Sequence, residues 1–238
     1  MILVLWDIDR TLLYVGDTDR TVYRETFREV VGRDPERLPQ RGTGVTMPLA
    51  VRELLAANEV PHDQIDRLAG QIVARLPERL EGHREELHTS GRVMPGAMEA
   101  LAAVHGAEDL IPTVVTGNLR ASAEIKLDSF SMLRYVDISV GGFASDDSHR
   151  PALVGIAQRR SEAAYGSAFG RENTVIIGDS LEDVRTGREG RAKVIAVASG
   201  TTSAAQLHEA GADKVVGDLT DVGRLLSEIR ALGRRGVC

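Results

Sequence analysis

The sequence has little cysteine and no long apolar stretch. Its single cysteine, Cys238, is the last residue and cannot form an internal disulfide, so a disulfide-stabilised fold is excluded. The apolar run at the N-terminus ends at Trp6, which is too short for a membrane span, and it lacks the basic flank of a signal peptide. We therefore expect a cytoplasmic protein with no membrane partner.

Lysine and net positive charge are also scarce. Three of the 29 basic residues are lysines, and the 35 acidic residues give a net charge of −6. Proteins that bind nucleic acids usually carry a basic surface stripe, and none stands out here, so no nucleic-acid partner is expected. The 238 residues, 42% of them hydrophobic, are enough for an α/β core with a modest second domain.

Short apolar runs that end in polar residues recur along the chain, which is typical of buried parallel strands. Strands are predicted at Ile2–Trp6, Ile111–Thr116, Thr174–Gly178, Lys193–Ala198 and Asp213–Val216, with a further candidate at Asp137–Val140. Helices are predicted between them at Gly96–His105, Leu119–Leu133, Ala152–Tyr165, Leu181–Glu189 and Ser203–Ala210. This alternation predicts the α/β class, with a Rossmann-like, doubly wound parallel sheet.

Residues 15–91 break this alternation. Apolar residues recur there at helical spacing, most clearly over Ile65–Leu76, and Pro77 is expected to interrupt that helix. No convincing strand occurs in the stretch. The sequence therefore predicts an all-helical cap at residues 15–91, inserted into a core made of residues 1–14 and 92–238.

Two carboxylates follow the first predicted strand. Asp7 and Asp9 lie two residues apart, so both side chains project to the same face just beyond the carboxyl end of the strand. Ligands of open α/β sheets bind at this edge, and adjacent carboxylates repel each other unless a cation or a proton lies with them. The alternative interpretation is a polar cluster that only caps the next turn.

A second polar motif, Thr116-Gly117-Asn118, ends the next strand of the core. The Thr116 hydroxyl and the N–H groups of Gly117 and Asn118, at the start of a helix, would suit an anion. An ordinary helix N-cap is the alternative interpretation of this Thr-Gly-Asn motif.

A third motif follows the strand at Thr174–Gly178. Asp179 closes the strand, and Asp183 lies four residues later, so a helix that begins at Ser180 returns the second carboxylate toward the first. Paired carboxylates at a strand end suit a hard divalent cation such as Mg²⁺. Acidic residues that merely complement the helix dipole are the alternative.

The three motifs together resemble the signature of the haloacid dehalogenase-like hydrolase superfamily. That signature is Asp-x-Asp-x-Thr, then a strand-ending Ser or Thr, a Lys or Arg, and Gly-Asp-x-x-x-Asp, and the resemblance covers essentially the whole chain. The helical insertion, the Thr-Gly-Asn motif and the later Gly141-Gly142 pair resemble the phosphoglycolate-phosphatase-like branch. The resemblance implies an enzyme that acts on a small phosphorylated metabolite with Mg²⁺ as its cofactor.

The resemblance also implies a role for each acidic residue. Asp7 is the nucleophile that forms an aspartyl-phosphate, and Asp9 protonates the leaving oxygen and then activates the hydrolytic water. Mg²⁺ is expected at Asp7, at the main-chain carbonyl of Asp9 and at Asp179. Asp183 is expected to act on the metal through water or by orienting its neighbours. The Thr-Gly-Asn motif is expected to hold a phosphoryl oxygen.

The sequence departs from the family pattern at two positions. Arg10 stands where the family usually has glycine, which makes it a candidate for substrate binding. The cation of the family's Lys-Pro pair aligns with Arg150-Pro151, and Lys126, in the helix after Thr116, is a rival for the same role. Because lysine is scarce throughout this chain, an arginine in that role is unsurprising.

An acid at Asp9 favours phosphoryl transfer over dehalogenation, because a halide leaves without needing a proton. A phosphatase is the expected function, with a sugar phosphomutase of the same branch as the alternative. A non-catalytic binding protein is less favoured, because both Asp7 and Asp9 are present. Arg41 and Thr43 are expected in a cap loop that faces the substrate, although a solvated loop is an equal alternative. The expected assembly is a monomer or a homodimer.

Overall fold

A six-stranded parallel sheet forms the centre of the protein, whose computed structural model describes residues 1–40 and 44–233. The strands are β1 (Ile2–Trp6), β4 (Leu110–Thr116), β5 (Gly142–Phe143), β6 (Thr174–Gly178), β7 (Lys193–Val197) and β8 (Lys214–Val216). Their order across the sheet is β5-β4-β1-β6-β7-β8, and every neighbouring pair is parallel. A separate antiparallel pair joins β2 (Leu13–Tyr14) to β3 (Arg92–Val93).

Helices fill most of the remaining chain. They are α1 (Thr18–Val31), α2 (Met47–Ala57), α3 (His62–Gly82), α4 (Arg84–Ser90), α5 (Ala97–His105), α6 (Arg120–Ser129), α7 (Arg150–Tyr165), α8 (Leu181–Gly190), α9 (Ala204–Glu209) and α10 (Val222–Leu232). From α5 onward they alternate with the strands, which confirms the predicted Rossmann-like α/β class. Helix α10 is an addition that sequence analysis does not predict. Among the described residues, no helix combines the length and apolarity needed to cross a membrane.

The central strand β1 is buried on both faces. Val4 and Trp6 pack into one hydrophobic cluster, whereas Leu3 and Leu5 pack into another on the opposite side of the sheet. Alternate residues of a strand point to opposite faces, so a strand covered on both sides needs the continuous apolar run seen here. Trp6, fully buried, is therefore a core residue rather than a ligand contact.

Helices α1 to α4, residues 18–90, form what we call the helical segment, which leaves the core after β2 and returns to it at β3. Helix α3 continues through Pro77, contrary to the predicted interruption. Pro77 costs the helix about 3 kcal/mol, but Leu76 and Leu80 on either side of it are buried and each contributes about 1.5–3 kcal/mol. The division between cap and core at residues 14/15 and 91/92 stays a prediction.

The candidate strand at Asp137–Val140 is wrong. Residues Ile138–Val140 form a 3-10 helix, and the edge strand β5 begins at Gly142. The carboxylate of Asp137 accepts hydrogen bonds from the main-chain N–H and the hydroxyl of Ser139, at 3.0 and 2.6 Å. Such a local side-chain bond favours a turn over an extended strand.

Candidate active site

The three polar motifs meet at one edge of the sheet. Strands β4, β1 and β6 are neighbours, and Trp6, the last residue of β1, pairs with Val114 on one side and Ile177 on the other. The carboxyl ends of the three parallel strands therefore lie side by side, as expected for a ligand site of an open α/β sheet. A cavity of about 160 Å³ lies there, lined by this edge and by Tyr23 and Met47 of the helical segment.

Three buried carboxylates form an acidic cluster beside this cavity, and two of them, Asp7 and Asp179, line it. One oxygen each from Asp7, Asp179 and Asp183 lies within 4.8 Å of the others. The Thr11 hydroxyl lies 3.4 Å from Asp7 Oδ2 and 3.2 Å from Asp179 Oδ1. Gly200 leaves room for the cluster, because a Cβ atom there would lie 1.7 Å from Asp179 Oδ2.

The acidic cluster is short of positive charge. Burial, followed by the charge of Asp183, raises the pKa of Asp7 well above its usual range. The same two causes, in the same order, raise the pKa of Asp179 to about 7. A set of carboxylate oxygens that repel one another in a buried place suits a hard divalent cation, so the residues present fit Mg²⁺.

Arg150, at the start of α7, supplies one buried positive charge to the acidic cluster. Its Nη2 donates to Asp7 Oδ1 at 2.7 Å and also to Asp183 Oδ1, while Nη1 donates to the carbonyl of Gly44. The other oxygen of Asp183 accepts from the N–H and hydroxyl of Ser180, which caps helix α8. Within the described residues, the buried Nε of Arg150 has no hydrogen-bond partner.

The carboxylate of Asp9 lies outside the acidic cluster. Its Oδ1 accepts from the ammonium of Lys126 at 2.8 Å, and its Oδ2 accepts from the side-chain amide of Asn118 at 2.7 Å. Lys126 also donates to Asp19 of helix α1. The predicted contribution of Asp9 to a metal site through its main-chain carbonyl stays a prediction.

The Thr-Gly-Asn motif lines the cavity at the end of β4. Thr116 Oγ1 accepts from the Asn118 side chain at 2.8 Å and from its main-chain N–H at 3.3 Å, so the hydroxyl proton is left to donate elsewhere. Gly117 packs against the main chain of the helical segment, and a Cβ atom there would lie 2.6 Å from the carbonyl oxygen of Val45. The motif is thus placed to receive an anion, although its role stays a prediction.

Arg10 adopts a backbone conformation that favours glycine. Its φ is 64°, in the left-handed region, and its carbonyl accepts a hydrogen bond from the hydroxyl of Ser199 at 2.7 Å. The guanidinium carbon lies 4.9 Å from the centre of the Tyr14 ring, and both side chains line the cavity. The structure therefore places an arginine beside the site at the position where the family usually has glycine.

The contacts of three residues of the site are not predicted from the sequence. Thr11 belongs to the first motif, but only the structure shows its contact with the acidic cluster. Asp19 and Ser180 look like ordinary residues of helix starts, and the contact of Asp19 with Lys126 joins positions 107 residues apart. The predicted loop residues Arg41 and Thr43 lie outside the residues that the structure describes.

Comparison with known proteins agrees with this geometry. A family described as haloacid dehalogenase-like hydrolase matches residues 4–188. A predicted phosphatase from Clostridium acetobutylicum has a similar structure, with a TM-score of 0.71 at 17% identity, over 95% of this chain and 98% of that one. No curated protein matches the chain.

Two further solved structures are similar. One is a candidate phosphoglycolate phosphatase from Lactobacillus plantarum, with a TM-score of 0.64 at 17% identity, over 94% of this chain and 98% of that one. The other is a candidate beta-phosphoglucomutase from Bacteroides vulgatus, with a TM-score of 0.62 at 18% identity, over 98% of this chain and 90% of that one. At these identities the likeness shows a shared fold.

Proposed function

Because the chain belongs to the haloacid dehalogenase-like hydrolases, as the match over residues 4–188 shows, we propose that it is a Mg²⁺-dependent phosphatase acting on small phosphate monoesters. The observation that carries the proposal is the buried Asp7 carboxylate, which lies at the end of β1 beside two further carboxylates and a guanidinium. The fold that the chain shares with a predicted phosphatase and a candidate phosphoglycolate phosphatase also supports the proposed phosphatase function.

Asp7 is the proposed nucleophile. Its carboxylate oxygen bonds to phosphorus while the bond from phosphorus to the leaving oxygen breaks, which produces an aspartyl-phosphate and an alcohol. Asp9 gives the leaving oxygen its proton and then takes a proton from the water that hydrolyses the aspartyl-phosphate. This hydrolysis releases inorganic phosphate, frees the carboxylate of Asp7 and returns to Asp9 the proton that it gave.

Asp7, Asp179 and Asp183, with the main-chain carbonyl of Asp9, are the residues proposed to hold Mg²⁺. The raised pKa values of Asp7 and Asp179, caused first by burial and then by the charge of Asp183, support a cation in this cluster. When bound, the ion supplies positive charge that lets a carboxylate approach an anionic phosphate. Thr11, within reach of Asp7 and Asp179, helps to orient the two carboxylates.

The phosphoryl oxygens are proposed to lie against the Thr-Gly-Asn motif and Arg150. The Thr116 hydroxyl has a proton left to donate, and the N–H group of Gly117 belongs to the same turn, whereas the N–H and side-chain amide of Asn118 already donate within the site. Arg150 lines the cavity, contacts the nucleophile and keeps a buried Nε donor without a partner among the described residues. Donors fixed in place before the reaction stabilise the charge that develops on the phosphoryl group.

Arg150, rather than Lys126, is proposed as the cation of the third motif. Arg150 contacts Asp7, whereas all three protons of the Lys126 ammonium are committed to Asp9, Asp19 and Asn118. A lysine with no free proton has none left for a phosphoryl oxygen. Lys126 therefore needs a different role.

The helical segment is proposed to act as the cap that recognises the leaving group of the substrate. A cavity of about 160 Å³ favours a small metabolite such as phosphoglycolate or a sugar phosphate. Arg10 lines that cavity from the core side and is proposed to contact the substrate. Arg41 and Thr43 stay candidates for the same task.

A sugar phosphomutase is the second candidate, because a candidate beta-phosphoglucomutase shares the fold. In a mutase, the aspartyl-phosphate at Asp7 would pass its phosphoryl group to another hydroxyl of the sugar instead of to water. A non-catalytic binding protein is disfavoured by the presence of both Asp7 and Asp9. The cytoplasmic location and the monomeric or homodimeric state remain predictions.

A screen of phosphorylated metabolites in the presence of Mg²⁺ tests the proposal. We expect inorganic phosphate to be released from p-nitrophenyl phosphate and faster from one class of small metabolites, and the Asp7→Asn variant serves as the blank. Phosphorus NMR of the sugar phosphates separates the candidates, because a mutase converts one isomer to another with little phosphate release. No turnover of any ester, with folded protein and Mg²⁺ present, would overturn the proposal.

A further inference from the structure

Lys126 is a buried cation that the proposed reaction does not use. It lies in helix α6 with no solvent exposure, and its ammonium donates to Asp9 Oδ1 at 2.8 Å, Asp19 Oδ2 at 2.8 Å and Asn118 Oδ1 at 2.9 Å. Burial alone would lower the pKa of Lys126, but the charges of Asp19 and Asp9 raise it above its usual range. The side chain is therefore a permanent cation shared between two carboxylates.

Lys126 controls both contacts of the Asp9 carboxylate. It binds Oδ1 directly, and it fixes the orientation of the Asn118 amide, which binds Oδ2 at 2.7 Å. An ammonium can only donate, so Asn118 must turn its oxygen toward Lys126 and its NH₂ group toward Asp9. The same NH₂ group also reaches Thr116 Oγ1 at 2.8 Å.

The third acceptor comes from the helical segment. Asp19 lies in the first turn of α1, whereas Lys126 and Asn118 belong to the core beyond residue 92. Without Asp19, the ammonium would face one carboxylate and one amide instead of two carboxylates and one amide. The hold of Lys126 on Asp9 therefore depends on how α1 sits against the core.

We propose that Lys126 is a positioning residue that couples the seating of helix α1 to the orientation of the Asp9 carboxylate. The inference rests on the proposed function, which gives Asp9 the proton transfer to the leaving oxygen. Arg150 and Lys126 then have separate tasks: one serves the nucleophile and the phosphoryl group, and the other serves the acid.

Two aryl esters of different leaving-group basicity test this assignment. Phenolate is strongly basic and needs a proton to leave, whereas p-nitrophenolate is a weak base and leaves without one. In the Lys126→Met variant, kcat/KM for phenyl phosphate should fall about tenfold further than kcat/KM for p-nitrophenyl phosphate, because general acid catalysis typically contributes about 10²–10⁴-fold. Asp9→Asn removes the acid itself, so it should show the largest difference between the two esters in loss of kcat/KM.

Asp19→Asn is the milder variant, because it keeps an acceptor near Lys126 and leaves the ammonium in place. We expect the same selective loss on phenyl phosphate, smaller in size. This variant also decides the question if Lys126→Met fails to fold. If Asp19→Asn lowered kcat/KM equally for both esters, the proposed coupling of Asp9 to helix α1 would be overturned.

Arg84→Met is the matched control. Arg84, in α4, donates to Asp128 of α6 at 2.7 Å, so it too joins the helical segment to α6, but at the surface. We expect this variant to have the same kcat/KM as the wild type for both esters. A folded Lys126→Met variant with equal losses on both esters would show a purely structural role, whereas a wild type inactive on both would instead overturn the proposed function.

Discussion

Two buried cations stand at this site, and each bridges two carboxylates in a different way. Arg150 joins Asp7 to Asp183 and also reaches the main chain of the helical segment at Gly44. Lys126 joins Asp9 to Asp19 and uses its last proton on the amide of Asn118. Both cations therefore link the core to the helical segment, but through different carboxylates.

The difference follows from the shapes of the two side chains. A guanidinium is a planar fork with five N–H donors, so Arg150 can serve its partners and still keep Nε without one among the described residues. An ammonium is a compact charge with three protons, and Lys126 commits all of them. An arginine with five N–H donors can hold its carboxylates and still offer an N–H to a phosphoryl group, whereas a lysine with all three protons committed suits a fixed position.

Removing the carboxylate that each cation serves should have the largest effect on activity. Asp7→Asn should reduce kcat on p-nitrophenyl phosphate below about one per cent of the wild type, because the amide keeps the shape but cannot act as a nucleophile. Asp9→Asn should be nearly as severe in kcat on phenyl phosphate, since both half-reactions of that ester need proton transfer by Asp9. Circular dichroism checks that both variants fold, and Asp7→Asn turnover above a few per cent contradicts the covalent mechanism.

Metal removal should act on one of the two cation sites, because only the cluster around Arg150 is proposed to bind Mg²⁺. A strong chelator should abolish phosphate release, and Mg²⁺ should restore it, whereas Ca²⁺ should substitute poorly because its coordination is larger and looser. Asp179→Ala should weaken the response to Mg²⁺ more than Asp183→Ala, whose carboxylate is already held by Arg150 and Ser180. Full activity of verified metal-free protein would rule out this proposal.

Replacing each cation tests whether the two tasks are separate. Arg150→Ala should lower kcat on p-nitrophenyl phosphate at least about tenfold more than Lys126→Ala, because only Arg150 is proposed to touch the phosphoryl group. Arg150→Ala removes the guanidinium from the buried carboxylates of Asp7 and Asp183 and should cost about 3–5 kcal/mol of stability. Lys126→Ala should cost less, because the carboxylates of Asp9 and Asp19 are partly exposed to solvent. Assays below the unfolding temperature of both variants are therefore needed, and the reverse order of kcat values would move the role to Lys126.

Arg10 is a cation that belongs to neither pair, and its replacement should have a smaller and more selective effect. Arg10→Ala should lower kcat/KM about tenfold for the preferred metabolite of the screen, in line with the loss of a charged hydrogen bond. On p-nitrophenyl phosphate the change should be at most about twofold, because that leaving group lacks the carboxylate or hydroxyl groups of a small metabolite and its nitro group is a weak acceptor. Equal losses on both substrates would place Arg10 outside substrate recognition.

The smallest expected effect is a pH dependence of the stabilisation by Mg²⁺. Burial and then the charge of Asp183 raise the pKa of Asp179 to about 7, while an unfolded Asp titrates near about 3.9. Between these values the native state holds a proton that the unfolded state has lost, so metal-free stability falls as the pH rises toward 7. Mg²⁺ competes with this proton and should raise the unfolding temperature more at pH 8 than at pH 5.5. Equal shifts would contradict the metal site.

The sequence could predict the parts of the site that depend on local patterns. The strand β1, the i and i+2 spacing of Asp7 and Asp9, and the return of Asp183 toward Asp179 follow from strand and helix geometry. The contacts of Lys126 could not be predicted, because they join residues that are far apart in sequence and depend on how α1 packs. Packing likewise explains Pro77, since buried leucines hold α3 together where local propensity favours a break.

The left-handed backbone of Arg10 has a consequence for protein engineering. A non-glycine residue in that conformation costs about 1–2 kcal/mol, which corresponds to roughly 2–8 °C of unfolding temperature in a protein of this size. Arg10→Gly would therefore remove the free-energy cost of the left-handed backbone and raise the unfolding temperature. It would also remove the guanidinium beside the cavity. Position 10 therefore affects both thermostability and substrate recognition, so a substitution that raises the unfolding temperature should lower activity on the preferred substrate.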